Sequence, residues 1–128
     1  MKAQSNHLLI FSVFQVDKTQ EENLKAHKIT EENMRMAGIP HIPVQGSYRN
    51  TKELGFIVSV DQRPLVKSLC HQYRQESYLE HFKDRHCELV FTDFRVPIGT
   101  MVEATKEKAE KSESYTLTPD GRYFVTEK

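Results

Sequence analysis

The residues best suited to chemistry lie in the stretch Gln45-Gly-Ser-Tyr-Arg-Asn-Thr-Lys-Glu-Leu-Gly-Phe-Ile-Val-Ser-Val60. An apolar strand runs through a glycine to Tyr48. A short polar loop follows, and Glu53 stands at the mouth of a second strand. A phenol and a carboxylate then face each other across the ends of a hairpin. An aromatic face beside an anion suits a cationic organic ligand. Both residues also have ordinary readings. A tyrosine at a strand end packs its ring and wets its hydroxyl, and a lone hairpin glutamate is normally solvated. Spacing alone leaves these alternatives open.

Other reactive constellations fail on spacing. The histidines at 7, 27, 41, 71, 81 and 86 form no His-x-x-x-His or His-Glu-x-x-His pair, so no metal site is expected. Cys87 follows His86 directly. Neighbours on a strand point to opposite faces, so the two cannot act as a nucleophile and base there. No Gly-x-Gly-x-x-Gly or phosphate loop is present, and the glycine-rich first turn of a Rossmann-type methyltransferase is missing. Gly46 and Gly55 flank the hairpin loop and are assigned to its turns.

The elements that must position Tyr48 and Glu53 come from a chain of 128 residues, read as one domain over 1–128. Eighteen basic side chains balance eighteen acidic ones, which is not the footprint of a nucleic-acid binder. No apolar run is long enough for a membrane helix, and no signal peptide is read at the N-terminus. Two cysteines, Cys70 and Cys87, give no disulfide framework. A reducing cytoplasm is the expected compartment, with both thiols in the core.

His7–Gln15 is nearly all apolar, as in a strand buried on both faces. Asp17–Ala37 reads as helix, with stop signals at Gly38 and Pro40 and a restart into a second short helix at Thr30. Ile42–Tyr48 and Glu53–Val60 make the hairpin. Asp61 reads as the N-cap of a helix whose inner face is Val66, Leu69, Cys70 and Tyr73. Strands follow at Ser77–Phe82 and Cys87–Phe91. No element is read between Phe91 and Lys106. Lys106–Ser114 is charged, poor in apolar residues and read as a mobile loop. Ser114–Leu117 and Tyr123–Thr126 form a hairpin about a Thr118-Pro-Asp-Gly121 turn. The order strand, helix, strand, strand, helix, strand predicts an α+β ferredoxin-like split βαβ sandwich. Its antiparallel sheet would carry two helices on one face and extra C-terminal strands. The other face would then need cover, so oligomerisation is expected.

Three segments carry a family resemblance. Phe11-Ser-Val-Phe14 sets a serine one residue into an apolar-aromatic strand. Gly46-Ser-Tyr48 with Glu53-x-x-Phe-x-Val58 matches a Gly-x-Tyr and Glu-x-x-(Thr or Phe)-x-Val pair. Tyr115-Thr-Leu-Thr-Pro-Asp-Gly-Arg-Tyr-Phe-Val125 is similar to a closing aromatic-Thr-aliphatic, turn and Gly-Arg-aromatic strand. Together they resemble the small phage-encoded S-adenosylmethionine lyases, long described as hydrolases. The loop between Tyr48 and Glu53 is shorter here than in such relatives, but Glu53 is the only acid between Tyr48 and Asp61.

The resemblance implies catalytic roles for Glu53 and Tyr48 and substrate contacts for Ser12 and Ser47. It implies S-adenosylmethionine as substrate, no cofactor, and a homotrimer with sites between subunits. The implied reaction is internal: the substrate's own carboxylate displaces methylthioadenosine and closes homoserine lactone. That fits a chain in which no nucleophile–base pair is found. The implied setting is the cytoplasm of an infected bacterium, where loss of S-adenosylmethionine blunts restriction and methylation. Two other outcomes remain open at this point: a hydrolase giving homoserine, and a non-catalytic trimeric nucleotide sensor.

Overall fold

A computed structural model describes residues 7–48 and 51–128. Eight strands run in chain order: β1 (Leu8–Phe11), β2 (Ile42–Tyr48), β3 (Thr51–Ser59), β4 (Tyr78–His81), β5 (His86–Val90), β6 (Arg95–Ala104), β7 (Ser114–Leu117) and β8 (Tyr123–Glu127). Helices are α1 (Gln20–Met36), α2 (Arg63–Gln72) and α3 (Lys106–Glu110), with a 3-10 turn at Val60–Gln62 before α2. The strands close into an antiparallel barrel in the order β1-β3-β2-β7-β8-β6-β5-β4.

This overturns the expected ferredoxin-like sandwich. The first four strands do lie in the order β4-β1-β3-β2, but neither end of that row is an edge. β5 pairs with β4, and β7 pairs with β2. β6 and β8 bridge the gap between them. The C-terminal strands therefore close a cylinder instead of lengthening an open sheet. Closure also removes the uncovered face from which oligomerisation was expected.

Strand alternation sorts the core into two layers. Leu9, Phe11, Phe56 and Val58 point outward and pack against Met34 of α1 and Val66 and Cys70 of α2. Leu8, Ile57 and Val44 point inward with Ile10 and Ile42. Cys87, Met101 and Phe124 fill the rest of the interior, again against Ile10. β1 is apolar throughout because one face lies under the helices and the other lines the barrel.

Local chemistry explains the helices. Thr19 and Glu22 form a reciprocal capping box at the start of α1, at 3.1 and 3.0 Å. The thin apolar stripe is supplemented by Asn23, whose side chain exchanges hydrogen bonds with both backbone groups of Gln15. Thr30 does not restart a second helix: its hydroxyl donates to the Ala26 carbonyl at 2.8 Å and α1 runs on. Asp61 is not the cap either. Ser59 caps the 3-10 turn, accepting from the Asp61 amide.

The segment read as a mobile loop contains α3, capped by Thr105 and anchored by a fully buried Ala109. One small apolar residue suffices because the helix only has to cover β7 and β8. β6 was not anticipated at all. Pro97 and Gly99 interrupt its alternation, and a bulge opposite Cys87 and Glu88 shifts its register. Gly99 has a φ of 112°, and a Cβ there would lie 2.3 Å from the Glu127 carbonyl oxygen. Only glycine lets β6 cross β8 at that point. Among the described residues no helix is long and apolar enough to cross a membrane.

Candidate active site

β2 and β3 pair in continuous register from Ile42↔Ile57 to Tyr48↔Thr51. Directly paired residues share a face. Because Ile57 points inward, so do Gly55, Glu53 and Thr51 on β3, and Ile42, Val44, Gly46 and Tyr48 on β2. The phenol and the carboxylate thus stand on the inner face at one end of the barrel. Ser12 follows β1 with the inward parity of Leu8 and Ile10. Ser47 has the opposite parity and pairs with Lys52 and Tyr115 on the outer face. The structure brings Ser12, Tyr48 and Glu53 to one face and leaves Ser47 on the other.

Glu53 is half-buried, and burial raises its pKa above the ordinary carboxylate range. The Ser12 hydroxyl works in the other direction, as the smaller effect. No basic side chain among the described residues acts on it. Opposite it stands Gly46. A Cβ at Gly46 would meet only the Glu53 and Tyr115 carbonyl oxygens, at 3.8 and 3.9 Å. These are ordinary contacts, so the backbone does not require a glycine there. Thr116 of β7 continues the row beyond Gly46. Tyr48 is half-exposed at the rim. A desolvated anion on the same face as an aromatic ring can receive a cation.

Elsewhere the reactive side chains are occupied or inert. Burial pushes the Cys70 thiol up to about 11 and the Cys87 thiol up to about 12. His86, outward-facing, lies 3.1 Å from Glu88 rather than toward Cys87. Among the described residues no three metal-ligating side chains cluster.

His27 stacks on Phe56 at 4.3 Å between centroids, and burial lowers its pKa. It borders an open cleft of about 400 Å3 between α1 and the β7–β8 turn, with Gln45, Leu54, Leu117, Thr118 and Pro119. The cleft lies on the outer side of β2, across the sheet from Glu53.

Sequence reasoning missed two features. Thr116 joins the site only through the β2–β7 pairing, for which the sequence carried no signal. The second is an ion cluster around Glu80 on the outer face of β4. Arg63 grips both carboxylate oxygens at 2.8 Å, Arg95 reaches one at 2.9 Å, and His7 Nε2 lies 2.5 Å from the other. Burial works to raise the Glu80 pKa, but these partners outweigh it and hold it at about 2.

The S-Adenosylmethionine lyase family model matches residues 9–127, from within β1 to the end of β8. No curated protein matches the chain. The match takes in every strand of the barrel and all three inward-facing residues Ser12, Tyr48 and Glu53. The chain belongs to the S-adenosylmethionine lyase family.

Proposed function

We propose that the chain cleaves S-adenosylmethionine by an internal displacement at the mouth of the barrel. The observation that carries this reading is Glu53: a carboxylate withdrawn from water on the inner face it shares with Tyr48, with a serine and no basic partner among the described residues. Such a group is costly until a cation arrives. The substrate brings two, a sulfonium and an ammonium.

In the reaction, the substrate carboxylate attacks its own γ-carbon. The Cγ–S bond breaks and its electron pair returns to sulfur. The products are methylthioadenosine and homoserine lactone, with no proton gained or lost. The protein supplies no nucleophile. Glu53 holds the ammonium or ribose so that the chain bends back on itself, and the Tyr48 ring packs near the sulfonium. Well-oriented internal reactions gain up to ~7–11 kcal/mol from such positioning.

One specific observation favours a second reading. A carboxylate with a raised pKa is also a better general base. Glu53 would then activate water, and the product would be homoserine. Purified protein incubated with S-adenosylmethionine in 18O-water separates the two readings. We expect methylthioadenosine and unlabelled homoserine lactone as the first products. Homoserine carrying solvent oxygen in its hydroxyl would make the enzyme a hydrolase. Intact S-adenosylmethionine after long incubation would favour a binding protein that senses the nucleoside.

The homotrimer with sites between subunits now rests on the family resemblance alone, since the sheet face from which it was expected lines the barrel. The same holds for action in an infected bacterium's cytoplasm against restriction and methylation. Light scattering on the purified chain checks the trimer; full activity of a monomer would exclude shared sites.

A further inference from the structure

Antiparallel strands alternate in direction around the barrel, so its hairpins divide between two ends. The β2–β3 hairpin, which bears Tyr48, and the β5–β6 hairpin, whose last pair is Val90 and Arg95, turn at the same end. In the closed strand order the two hairpins lie half a circuit apart. They therefore face each other across one mouth. An eight-stranded barrel has room inside for side chains or for one small ligand, so opposite walls can touch the two ends of a single molecule.

The tip of the β5–β6 hairpin is aromatic. The Phe91 amide donates to the Phe94 carbonyl at 2.9 Å, so these two residues pair across Thr92 and Asp93. Their rings stack at 4.5 Å between centroids and 9° between planes. Alternation fixes their side. Val90 packs under the helices, and Arg95 reaches outward to Glu80 and Glu88. Phe91 and Phe94, next to them, take the parity of the inner face. Val96 shares it through Leu89, which pairs with Leu79 of the interior. Phe94 is 59% exposed and Val96 38%. This wall of the mouth thus presents uncharged, uncovered apolar surface, with its one cation turned away.

We infer that the Phe91–Phe94 pair seats the adenine of S-adenosylmethionine, with Phe94 as the ring on which the base stacks. This rests on the proposed reading of Glu53 and Tyr48 and adds the other end of the substrate. The substrate carries its cations on the sulfonium and the methionyl end, and its purine is neutral and flat. The mouth is divided in the same way, with a carboxylate and a phenol on one wall and flat uncharged rings opposite. A purine lies on an exposed aromatic ring through its π-face. With the base held on one wall and the methionyl end on the other, the Cγ–S bond lies between them.

The chain has no tryptophan, so Phe94→Trp gives the full chain a single fluorescent reporter that can still stack. Methylthioadenosine, which keeps the base and lacks the methionyl end, is the probe, and its binding needs no turnover. Calorimetry should show binding to wild type and about tenfold weaker binding to Phe94→Ala, the loss of one base–aromatic stack. Phe94→Trp should bind as wild type does, with its emission quenched by the base. With S-adenosylmethionine, Phe94→Ala should raise KM about tenfold and change kcat less, as loss of ground-state binding does. Undiminished affinity in Phe94→Ala would overturn the inference. So would a wild type that does not bind methylthioadenosine, or a Phe94→Trp protein whose emission ignores it. Light scattering accompanies each variant: a Phe94→Ala protein with a changed oligomeric state would place the rings in a contact between copies and also overturn the inference. If methylthioadenosine binds through Phe94 while S-adenosylmethionine stays intact, the seat stands and the catalytic reading fails. If Phe94→Ala cleaves S-adenosylmethionine with unchanged KM, the catalytic reading stands and the seat fails.

Discussion

Glu80 and Glu53 sit on neighbouring parts of the same barrel, and both are drawn out of water. Glu80 is 1% exposed on the outer face of β4, yet its carboxylate is more acidic than usual. Two arginines and a histidine reach it from the start of α2, the start of β6 and the residue before β1. Glu53 is less buried and yet less acidic than usual, because burial acts on it with only Ser12 in opposition. The difference is one of partners, not depth. A carboxylate whose partners are built into the chain is a rivet. On the function proposed above, one whose counter-charge is missing is a receptor for it. The first should matter for stability and the second for turnover.

The strongest way to break the comparison is Glu80→Ala. It leaves two guanidinium groups facing each other without their shared anion. Removing one member of a buried ion cluster costs about 3–5 kcal/mol, so the melting temperature should fall by roughly 10 °C or more. If melting is unchanged, the cluster is not the rivet described. The pH dependence has a definite sign. The Glu80 pKa is depressed on folding, so its contribution is present above the ordinary carboxylate range and is lost as pH falls toward about 2.

Glu53→Gln should do the reverse. Turnover should drop about ten- to hundred-fold through loss of a charge-assisted contact worth ~1.5–3 kcal/mol. Melting at neutral pH should hold or rise, because a desolvated charge has been removed. The Glu53 pKa is raised on folding, so its contribution is favourable below the ordinary range and is lost as pH rises through the raised value. The advantage of Glu53→Gln in melting should therefore vanish in acid. Wild-type turnover with unchanged melting would show Glu53 to be ordinary surface.

Gly46→Val sharpens the same point without touching a charge. A Cβ at position 46, beside Glu53, meets only ordinary contacts, so the fold should persist, which melting checks. The substrate would lose the space that the added side chain fills, and kcat/KM should fall several-fold, on the order of 1–2 kcal/mol for an obstructed pocket. An unaffected kcat/KM would place the ligand elsewhere. The smallest effect is expected for Tyr48→Phe, which keeps the ring. Tyr48→Ala should lose the cation–ring attraction, about 0.5–1 kcal/mol at a part-exposed site, a few-fold in KM. Equal kinetics for the two variants would remove the ring from the mechanism.

The two carboxylates were unequally legible in the sequence. Glu53 could be found because everything that frames it is local: alternation from Ile42 to Val60, two glycines and a single acid in the loop. Ser12 came only through the family motif, since a serine in an apolar strand is otherwise unremarked. Glu80 was invisible. Its partners at positions 7, 63 and 95 belong to different elements, and only the folded barrel brings them together. The same limit hid the closure. The β2–β3 and β7–β8 hairpins announce themselves, but the pairing of β2 with β7 and of β1 with β4 is set by contacts far apart in the chain. β6 was lost for a local reason, as Pro97 and Gly99 look like breakers until the bulge and the crossing of β8 are seen. Ala109 likewise made a helix of a segment whose charge suggested a loop.

The β2–β7 seam has a consequence for how the chain is made. Gln45 pairs with Leu117 and Tyr48 with Ser114, so the flank of the strand bearing Tyr48 waits for the last hairpin. During synthesis the N-terminal half can gather its helices while β2 still shows a bare row of amide and carbonyl groups. Such an open row templates pairing between chains, and joining ends so distant in sequence is slow. A ribosome that stalls before Ser114 would release a chain poised to aggregate, and the mouth of the barrel is completed only once Ser114–Leu117 has been made.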